Sequence, residues 1–171
     1  ANIVYVYDQT NGNRDNVHRS VNAGQNFSLS NAIPGNNNSS GKLSVSAACP
    51  NCLYFLSGNG LWESTDSGQN FSFISNPGVG TGGFAVNDQD ISKMVLGYVD
   101  IYNSSNGGQN VTQTTWWYLG NGAHGTGSLQ DRFLNSNSYV HADMRIAKRV
   151  RGVFSIGTDG YVAETDDNCV H

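Results

Sequence analysis

The chain has 171 residues, of which 13% are charged, and its formal net charge is −4. This acidic balance offers no basic surface to a nucleic-acid backbone, so we predict no nucleic-acid partner. No apolar run approaches the roughly 20 residues of a membrane-spanning helix, so we predict no membrane span. Abundant glycine (21 residues), asparagine and serine favour short strands and tight turns, which predicts a single all-β domain over 1–171.

Alternating apolar residues around a polar turn predict a β-hairpin at four places along the chain. The second example, "CLYFLSGNGLWESTD", has a Gly-Asn-Gly turn between two apolar runs. The first has a longer Asn/Gly loop, the third is more compressed, and the fourth turns at Thr-Asp-Gly. The four predicted hairpins fall in 2–22, 52–66, 94–106 and 152–168.

Each of the first three hairpins ends in the pattern Ser-x-Asp/Asn-x-Gly-Gln-Asn, which we call the box. Complete boxes occupy 20–27, 64–71 and 104–111, and a degenerate copy occupies 164–171. The complete boxes follow one another at 44 and 40 residues, which is the size of one four-stranded propeller blade. The step to the degenerate copy is 60 residues, so we expect an additional loop before it.

We interpret the box as a turn that its own side chains close. The third residue can accept hydrogen bonds from backbone amides one to three residues further on, and the glycine supplies a left-handed backbone position. An aromatic residue after two of the boxes, Phe27 or Phe71, is predicted to begin the next strand and to pack between sheets. The predicted turn residues are Asn22, Gly24, Asp66, Gly68, Asn106, Gly108 and Asp166.

The segment "STDSGQNF" resembles the Asp-box, or bacterial neuraminidase repeat, of sialidase-like and sortilin-like β-propellers. Residues 139–167 are similar to the His-Ala-Asp strand, Gly-x-Asp-Gly hairpin and box of secreted Asp-box propellers, including those related to xyloglucan-hydrolysing enzymes. The resemblance implies a β-propeller of four-stranded antiparallel blades, with about three and a half blades in this chain. Because such an arc would be an incomplete ring, another chain or further propeller sequence is the expected partner.

The three cysteines leave several alternatives. Cys49 and Cys52 have the spacing of a redox motif, of half a zinc site or of a small loop disulfide, and we favour the disulfide. Cys169 would then be left to pair outside this chain. A chain that begins at Ala1 without a leader looks processed, which together with a disulfide predicts a secreted, extracellular protein. Six sequons permit glycosylation, at Asn26, Asn37, Asn38, Asn70, Asn103 and Asn110.

Two groups of residues are candidates for ligand binding. In "VHADMRI", strand alternation would place His141, Asp143 and Arg145 on one face, either as ligand-binding groups over a central channel or as a structural polar network. In the longer step before the last box, Trp116, Trp117 and Tyr118 form either a stacking platform for sugars or part of the core.

The predicted function is a scaffold or recognition module that binds a glycan or a protein, with no cofactor. The alternative is a fragment of a xyloglucanase-like glycoside hydrolase, for which Asp143 with Asp131 is the only pair of acids we consider. Sialidase activity is a weaker hypothesis because the sequence does not contain the Arg-Ile-Pro motif of sialidases. A second alternative is a subunit of a larger extracellular assembly or filament. Oxygen-bearing residues in 87–92 fall in an ordinary loop, so no metal site is predicted.

Overall fold

The computed structural model of the chain describes residues 2–8, 16–33, 40–115 and 140–166. All regular structure in these residues is β-strand, in fourteen strands, and no helix that could span a membrane occurs among them. The strands are β1 (Val4–Asp8), β2 (Asn16–Ser20), β3 (Ser28–Ala32), β4 (Gly41–Ser46), β5 (Cys49–Ser57), β6 (Gly60–Ser64), β7 (Ser72–Ser75), β8 (Gly83–Val86), β9 (Met94–Gly97), β10 (Ile101–Ser104), β11 (Thr112–Gln113), β12 (Ile146–Val150), β13 (Val153–Gly157) and β14 (Val162–Thr165).

The strands form four antiparallel sheets, each a meander in chain order. The first sheet is β1-β2-β3, the second β4-β5-β6-β7, the third β8-β9-β10-β11 and the fourth β12-β13-β14. The sheets lie side by side, because β1 is next to β4, β4 next to β8 and β8 next to β12. The all-β, antiparallel prediction is therefore confirmed. Within the described residues, β1 pairs with β2 alone and β14 with β13 alone.

Central strands bury both of their faces, which explains their continuous apolar sequences. In β5, Leu53 and Phe55 pack with the first sheet, whereas Tyr54 and Leu56 pack with the third. Successive side chains of a strand point to opposite faces, so one strand contributes to two cores. A third core joins the third and fourth sheets around Val95 of β9. The sheets are held together by these three apolar interfaces.

The predicted hairpins are present at β1–β2, β5–β6, β9–β10 and β13–β14. In the second sheet, the register pairs Gly41 of β4 with Ser57 and Ser57 with Gly60, so the beginning of β4 lies at the end of the sheet where the hairpin turns. The box that begins at Ser64 lies at the opposite end, because Ser64 pairs with Leu53 and Leu53 with Val45. The first three sheets therefore each have a turn end and a box end.

The second box shows how its side chains close the turn. The Ser64 hydroxyl donates to Asp66 Oδ1 at 2.8 Å and accepts the Gly68 amide at 2.8 Å. Asp66 Oδ1 also accepts the backbone amides of Gln69 and Asn70 at 3.0 and 2.9 Å. The Gln69 amide lies three residues after Asp66, within the predicted range of one to three, and the Asn70 amide lies one residue beyond that range. The serine, which the sequence analysis did not single out, is the second anchor of the turn.

The first and third boxes have the same geometry with asparagine in place of aspartate. Ser20 donates to Asn22 Oδ1 at 2.8 Å, and Ser104 donates to Asn106 Oδ1 at 3.0 Å. In all three copies the glycine lies in the left-handed region, with φ of +88°, +82° and +84° for Gly24, Gly68 and Gly108.

The residue before each of these glycines is left-handed too, and its amide joins the box to its own sheet. The φ angles are 58° for Ala23, 62° for Ser67 and 70° for Gly107. Their amides donate to the carbonyls of Asn2, Asn51 and Ser92, each at 2.8 Å. Two consecutive amides therefore point inward, one to the serine and one to the sheet.

The aromatic residue after the box behaves differently in its two copies. Phe71 is half-buried and packs on the core between the first and second sheets. Phe27 is 44% exposed, so the prediction that it packs between sheets is wrong. Val111, which occupies this place in the third box, packs on the core between the second and third sheets. The contact depends on the neighbouring sheet and not on the box itself.

From the hydrogen bonds of the Asp66 carboxylate we predict a contribution to stability that is lost in acid. Hydrogen bonds from the Asn70 side chain, the Asn70 amide and Ser64 lower the pKa of Asp66 from 3.8 to about 2. A depressed folded-state pKa stabilises the fold above the unfolded value, and this contribution is lost as the pH falls from about 4 to about 2. We expect Asp66→Asn to fold with the geometry of the other boxes and to lose less stability over that interval, measured as denaturation midpoints at each pH. Parallel curves for the two proteins would contradict the assignment.

The Cys49–Cys52 disulfide is present, as predicted, with the two Cα atoms 5.2 Å apart. It lies at the start of β5, next to the irregular pairing of Ser46 with Cys49. Ser46 also donates to the Asn87 carbonyl at 2.6 Å, a bond between the second and third sheets. The disulfide therefore closes a turn at the box end of the second sheet. Cys169 and the degenerate box beyond Asp166 lie outside the described residues.

Candidate functional site

The strands β4, β8 and β12, one from each of three neighbouring sheets, line a groove. Residues 42–45, 83–86 and 145–150 form its walls, and its volume is about 530 Å³. Each of these is the first strand of its sheet, which we call the inner strand. The groove therefore runs where the inner strands of adjacent sheets meet. The β8 segment is buried throughout, whereas β12 exposes alternate side chains and β4 exposes Lys42 and Val45. The groove is thus an open trough with β8 as its floor.

The groove is basic although the chain as a whole is acidic. Four of the nine basic residues of the chain line it: Lys42, Arg145, Lys148 and Arg149. In the part of the chain that the structure describes, no carboxylate lines it. Side chains of one sign around a concave surface concentrate their field there. Arg145 and Arg149 are paired with Asp159 and Asp88, so the unpaired positive charge of the groove among the described residues is that of Lys42 and Lys148.

Arg149 is the buried member of this group. Its side chain is only 6% exposed, its guanidinium lies 4.5 Å from the centre of the Phe154 ring, and its Nε is 3.3 Å from Asp88 Oδ1. The Asp88 contact is an ion pair that is not aligned as a hydrogen bond, and Nη1 has no hydrogen-bond partner among the described residues. The other Asp88 oxygen accepts the Arg151 amide at 3.1 Å. Nη1 of Arg149 is therefore an unused donor that is enclosed by the protein and not accessible from the groove.

A smaller recess of about 370 Å³ adjoins the groove at the turn end of the sheets. Lys42 and Arg145 line both cavities, so the two are continuous. Hydroxyl groups from two neighbouring sheets meet in the recess, with Ser40 Oγ 3.2 Å from Thr81 Oγ1. The remaining lining residues are Gly41, Gly82 and Tyr98. The recess therefore combines two hydroxyls, two cations and an aromatic ring.

Tyr98 is held by the backbone of the hairpin turn between β9 and β10. Its carbonyl accepts the Met144 amide at 2.7 Å, which ties this turn to the segment before β12. A side chain at Gly80 or Gly82 would collide with the tyrosine, so the glycines leave the space that it occupies. The residue is 38% exposed, which leaves part of its surface available to a ligand.

Arg145 is oriented by a carboxylate outside the cavities. Its Nε and Nη2 donate to the two Asp159 oxygens at 2.7 and 2.9 Å, and its guanidinium lies 5.6 Å from the centre of the Tyr98 ring. The hydrogen bonds from Arg145 lower the pKa of Asp159, and those to Asp159 raise the pKa of Arg145 further above its usual value. Asp159 was assigned to a turn from the sequence. That turn is instead closed by Thr158, whose hydroxyl accepts the Gly160 and Tyr161 amides.

The three residues predicted to share one strand face do not belong to a strand. β12 begins at Ile146, so His141, Asp143 and Arg145 precede it, and Asp143 has a φ of 65°. The predicted strand alternation is wrong here, because a left-handed residue breaks the regular pleat. Arg145 reaches both cavities, while His141 lies edge-on to Tyr161 with the ring centres 6.4 Å apart.

Several other predicted residues lie outside the described part of the chain. These are Trp116, Trp117, Tyr118 and Asp131, together with the sequons at Asn37 and Asn38. Asn26, Asn70 and Asn110 are exposed and occupy the same position in the three boxes, whereas Asn103 is half-buried in β10. Among the described sequons, those in the boxes are therefore exposed, and the one in a strand is half-buried.

Lys42, Lys148 and Tyr98 were missed by the sequence analysis. The sequence did contain an indication of the groove, since four of the nine basic residues of the chain fall within positions 145–151. Charge clusters of this kind indicate a binding surface more often than a core. Tyr98 gave no comparable signal, because only the fold brings the turn between β9 and β10 next to the beginnings of β4 and β12.

The described residues contain no group of three His, Cys, Asp or Glu side chains that could hold a metal ion. In the 87–92 loop, Asn87 Oδ1 accepts the amides of Gln89 and Asp90. Asp90 Oδ1 accepts hydrogen bonds from the Ser92 amide and hydroxyl. These two hydrogen bonds are the main cause of the lowered pKa of Asp90. The oxygens of this loop are engaged in closing the turn.

Comparison with solved structures places the fold. The chain matches the GH74 enzyme of Niastella koreensis (15% identity, TM-score 0.56) over 98% of its own length and 23% of that chain. It matches the GH74 xyloglucanase of Xanthomonas campestris (16%, TM-score 0.57) over 92% of its length and 25% of that chain. It matches YCF48 bound to D1 peptide (12%, TM-score 0.58) over 91% and 45%. These neighbours are β-propellers.

The fold is a partial β-propeller. Fourteen strands amount to three and a half four-stranded blades, in agreement with the predicted fold class. The chain spans about a quarter of the length of the GH74 structures and about half of YCF48. No family model and no curated protein matches the sequence. At this level of identity the likeness describes the architecture alone.

Proposed function

We propose that the chain is a recognition module of an extracellular Asp-box propeller and that it binds a glycan along the inner-strand groove. The continuity of the groove with the recess carries the proposal, because it creates one extended binding surface across three sheets. Hydroxyls of Ser40 and Thr81 can exchange hydrogen bonds with sugar hydroxyls, and the Tyr98 ring offers a stacking face. The Arg145 guanidinium is already oriented by Asp159 and adds further donors.

Similar proteins support an extended ligand. A GH74 neighbour is a xyloglucanase, and YCF48 binds a peptide, so propellers of this shape take polymeric ligands. A glycan is proposed in preference to a peptide because hydroxyl groups and an aromatic ring line the recess. The disulfide and the exposed sequons support an oxidising, extracellular compartment.

Binding is better supported than hydrolysis. A glycosidase of the usual kind needs two carboxyl groups on either side of the scissile bond. No carboxylate of the described residues lines the groove or the recess, and Asp143, one of the two proposed acids, lies outside both linings. Asp131 belongs to a part of the chain that the structure does not describe. The site as described offers recognition groups but no acid pair.

The test is calorimetric titration of the chain with a panel of soluble neutral and acidic polysaccharides. We expect at least one to bind, and we expect Tyr98→Ala to weaken that binding about tenfold, since truncating a central aromatic anchor has effects of this size. The matched control is Phe73→Ala on the outer strand β7, where the ring is 58% exposed and lies away from the groove.

Two results would refute the proposal. One is the absence of binding to every polysaccharide in the panel. The other is equal weakening by Tyr98→Ala and Phe73→Ala, which would show that exposed rings act through general stability and not through the recess. Thermal melts of both variants separate these effects, because a folded Tyr98→Ala variant with reduced affinity points to the recess alone.

A further inference from the structure

We propose that the glycan bound by the groove is an acidic polysaccharide, a polyuronate whose carboxylates are received by Lys42 and Lys148. The inference rests on the proposed function, since it names the class of glycan that the same groove takes. Two features of the groove support it: two exposed lysines without an ion pair among the described residues, and exposed apolar side chains in the same walls.

Lys42 and Lys148 lie in opposite walls of the groove. Lys42 belongs to β4 and Lys148 to β12, the two strands that flank β8, and both side chains are exposed. Across the described ranges, ion pairs of Lys93, Arg145 and Arg149 occur, but none involves either groove lysine. Two ammonium groups on one concave surface without a carboxylate repel each other, and an anion between them relieves that repulsion.

The apolar part of the groove distinguishes a sugar acid from other anions. Val45, Ile146 and Val150 are 57%, 52% and 58% exposed on β4 and β12. Exposed apolar side chains are suited to the C–H faces of sugar rings, which a small inorganic anion lacks. A polymer that alternates ring faces with carboxylates therefore meets apolar and cationic groups in turn.

Nucleic acids and acidic peptides carry negative charge as a polyuronate does, and the formal net charge of −4 opposes all three alike. The exposed apolar side chains of the groove favour the sugar acid among them, and the other polyanions are arms of the test.

The experiment is titration of the chain with polygalacturonate, with its fully methyl-esterified form as the matched neutral ligand. We expect the esterified polymer to bind at least tenfold more weakly, because it retains the rings and loses the charges. Lys42→Gln with Lys148→Gln is expected to weaken polygalacturonate binding about a hundredfold, roughly tenfold for each lysine. Lys93→Gln is the control, since Lys93 is exposed, contacts Asp90 and lies outside both cavities.

The outcomes separate this inference from the proposed function. If neutral xyloglucan binds, and polygalacturonate binds no better or survives the double substitution, the polyuronate assignment is wrong while glycan recognition stands. If no polysaccharide binds, both fail. If dextran sulfate, polyglutamate or single-stranded DNA binds as tightly as polygalacturonate, the groove recognises charge alone and the assignment is also overturned. Selective loss in the double variant, with Lys93→Gln unchanged, supports it.

Discussion

Replacing Phe55 by alanine is expected to lower the free energy of unfolding by about 3–5 kcal/mol. The side chain is fully buried in β5, between the first and second sheets. Its ring lies 4.7 Å from that of Tyr7 and 5.9 Å from that of Trp62, measured between centroids. Removing it leaves a cavity at an interface that joins two sheets, so the first sheet is expected to separate before the rest unfolds.

Phe73→Ala provides the comparison for this loss. Phe73 is 58% exposed and contacts Trp62 only at the edge, with the ring centres 5.6 Å apart. We expect it to cost about 1 kcal/mol or less. Chemical denaturation of the two variants and the unmodified chain measures both. Similar losses for Phe55→Ala and Phe73→Ala would show that the first and second sheets are not held together by this core.

Gly108→Ala is the second substitution with a large expected effect, about 3 kcal/mol. The φ of +84° disfavours any residue with a side chain, and a Cβ at this position would also collide with Leu61 of β6 in the neighbouring sheet. The Gly108 carbonyl accepts a hydrogen bond from Ser75 at 2.6 Å, so the third box is fixed against the second sheet. For a chain of this size the melting temperature is expected to fall by about 10 °C.

Gly107→Ala is the matched control, because it differs only in what surrounds the added methyl group. Its φ is +70°, but nothing lies within 4 Å of a Cβ built there. The first box already has alanine at this position, Ala23, with a φ of 58°. We expect a cost of about 1 kcal/mol from the backbone alone. Equal melting temperatures for the two variants would contradict the close approach of the third box to Leu61.

The fold was largely predictable because its information is local and repeated. Hairpin alternation and the box recur at nearly constant spacing, and each repeat states the same strand order. Conflicts arose where one residue has two possible roles. Asp159 looked like a turn residue and is the ionic partner of Arg145, and Asp143 looked like a strand residue and is left-handed. Short-range patterns do not encode such tertiary choices.

The candidate site was less predictable because its residues come from three sheets. Lys42 and Lys148 meet only after β4 and β12 are arranged around β8, and neither stands in a motif. The Tyr98 carbonyl accepts a hydrogen bond from the Met144 amide, so the turn that carries Tyr98 is tied to a segment far along the chain. Arg145 lines both cavities, although it was predicted from a strand alternation that the structure does not show.

The two ends of each sheet have separate tasks. The boxes fix the chain at one end, whereas the recess with Ser40, Thr81 and Tyr98 opens at the other. Substitutions in the turns at 76–81, 98–100 and 158–161 therefore leave the box hydrogen bonds untouched. This arrangement suits the chain to engineering. A library of sequences grafted into those turns could be screened for new ligands while the strands and boxes of the scaffold stay the same.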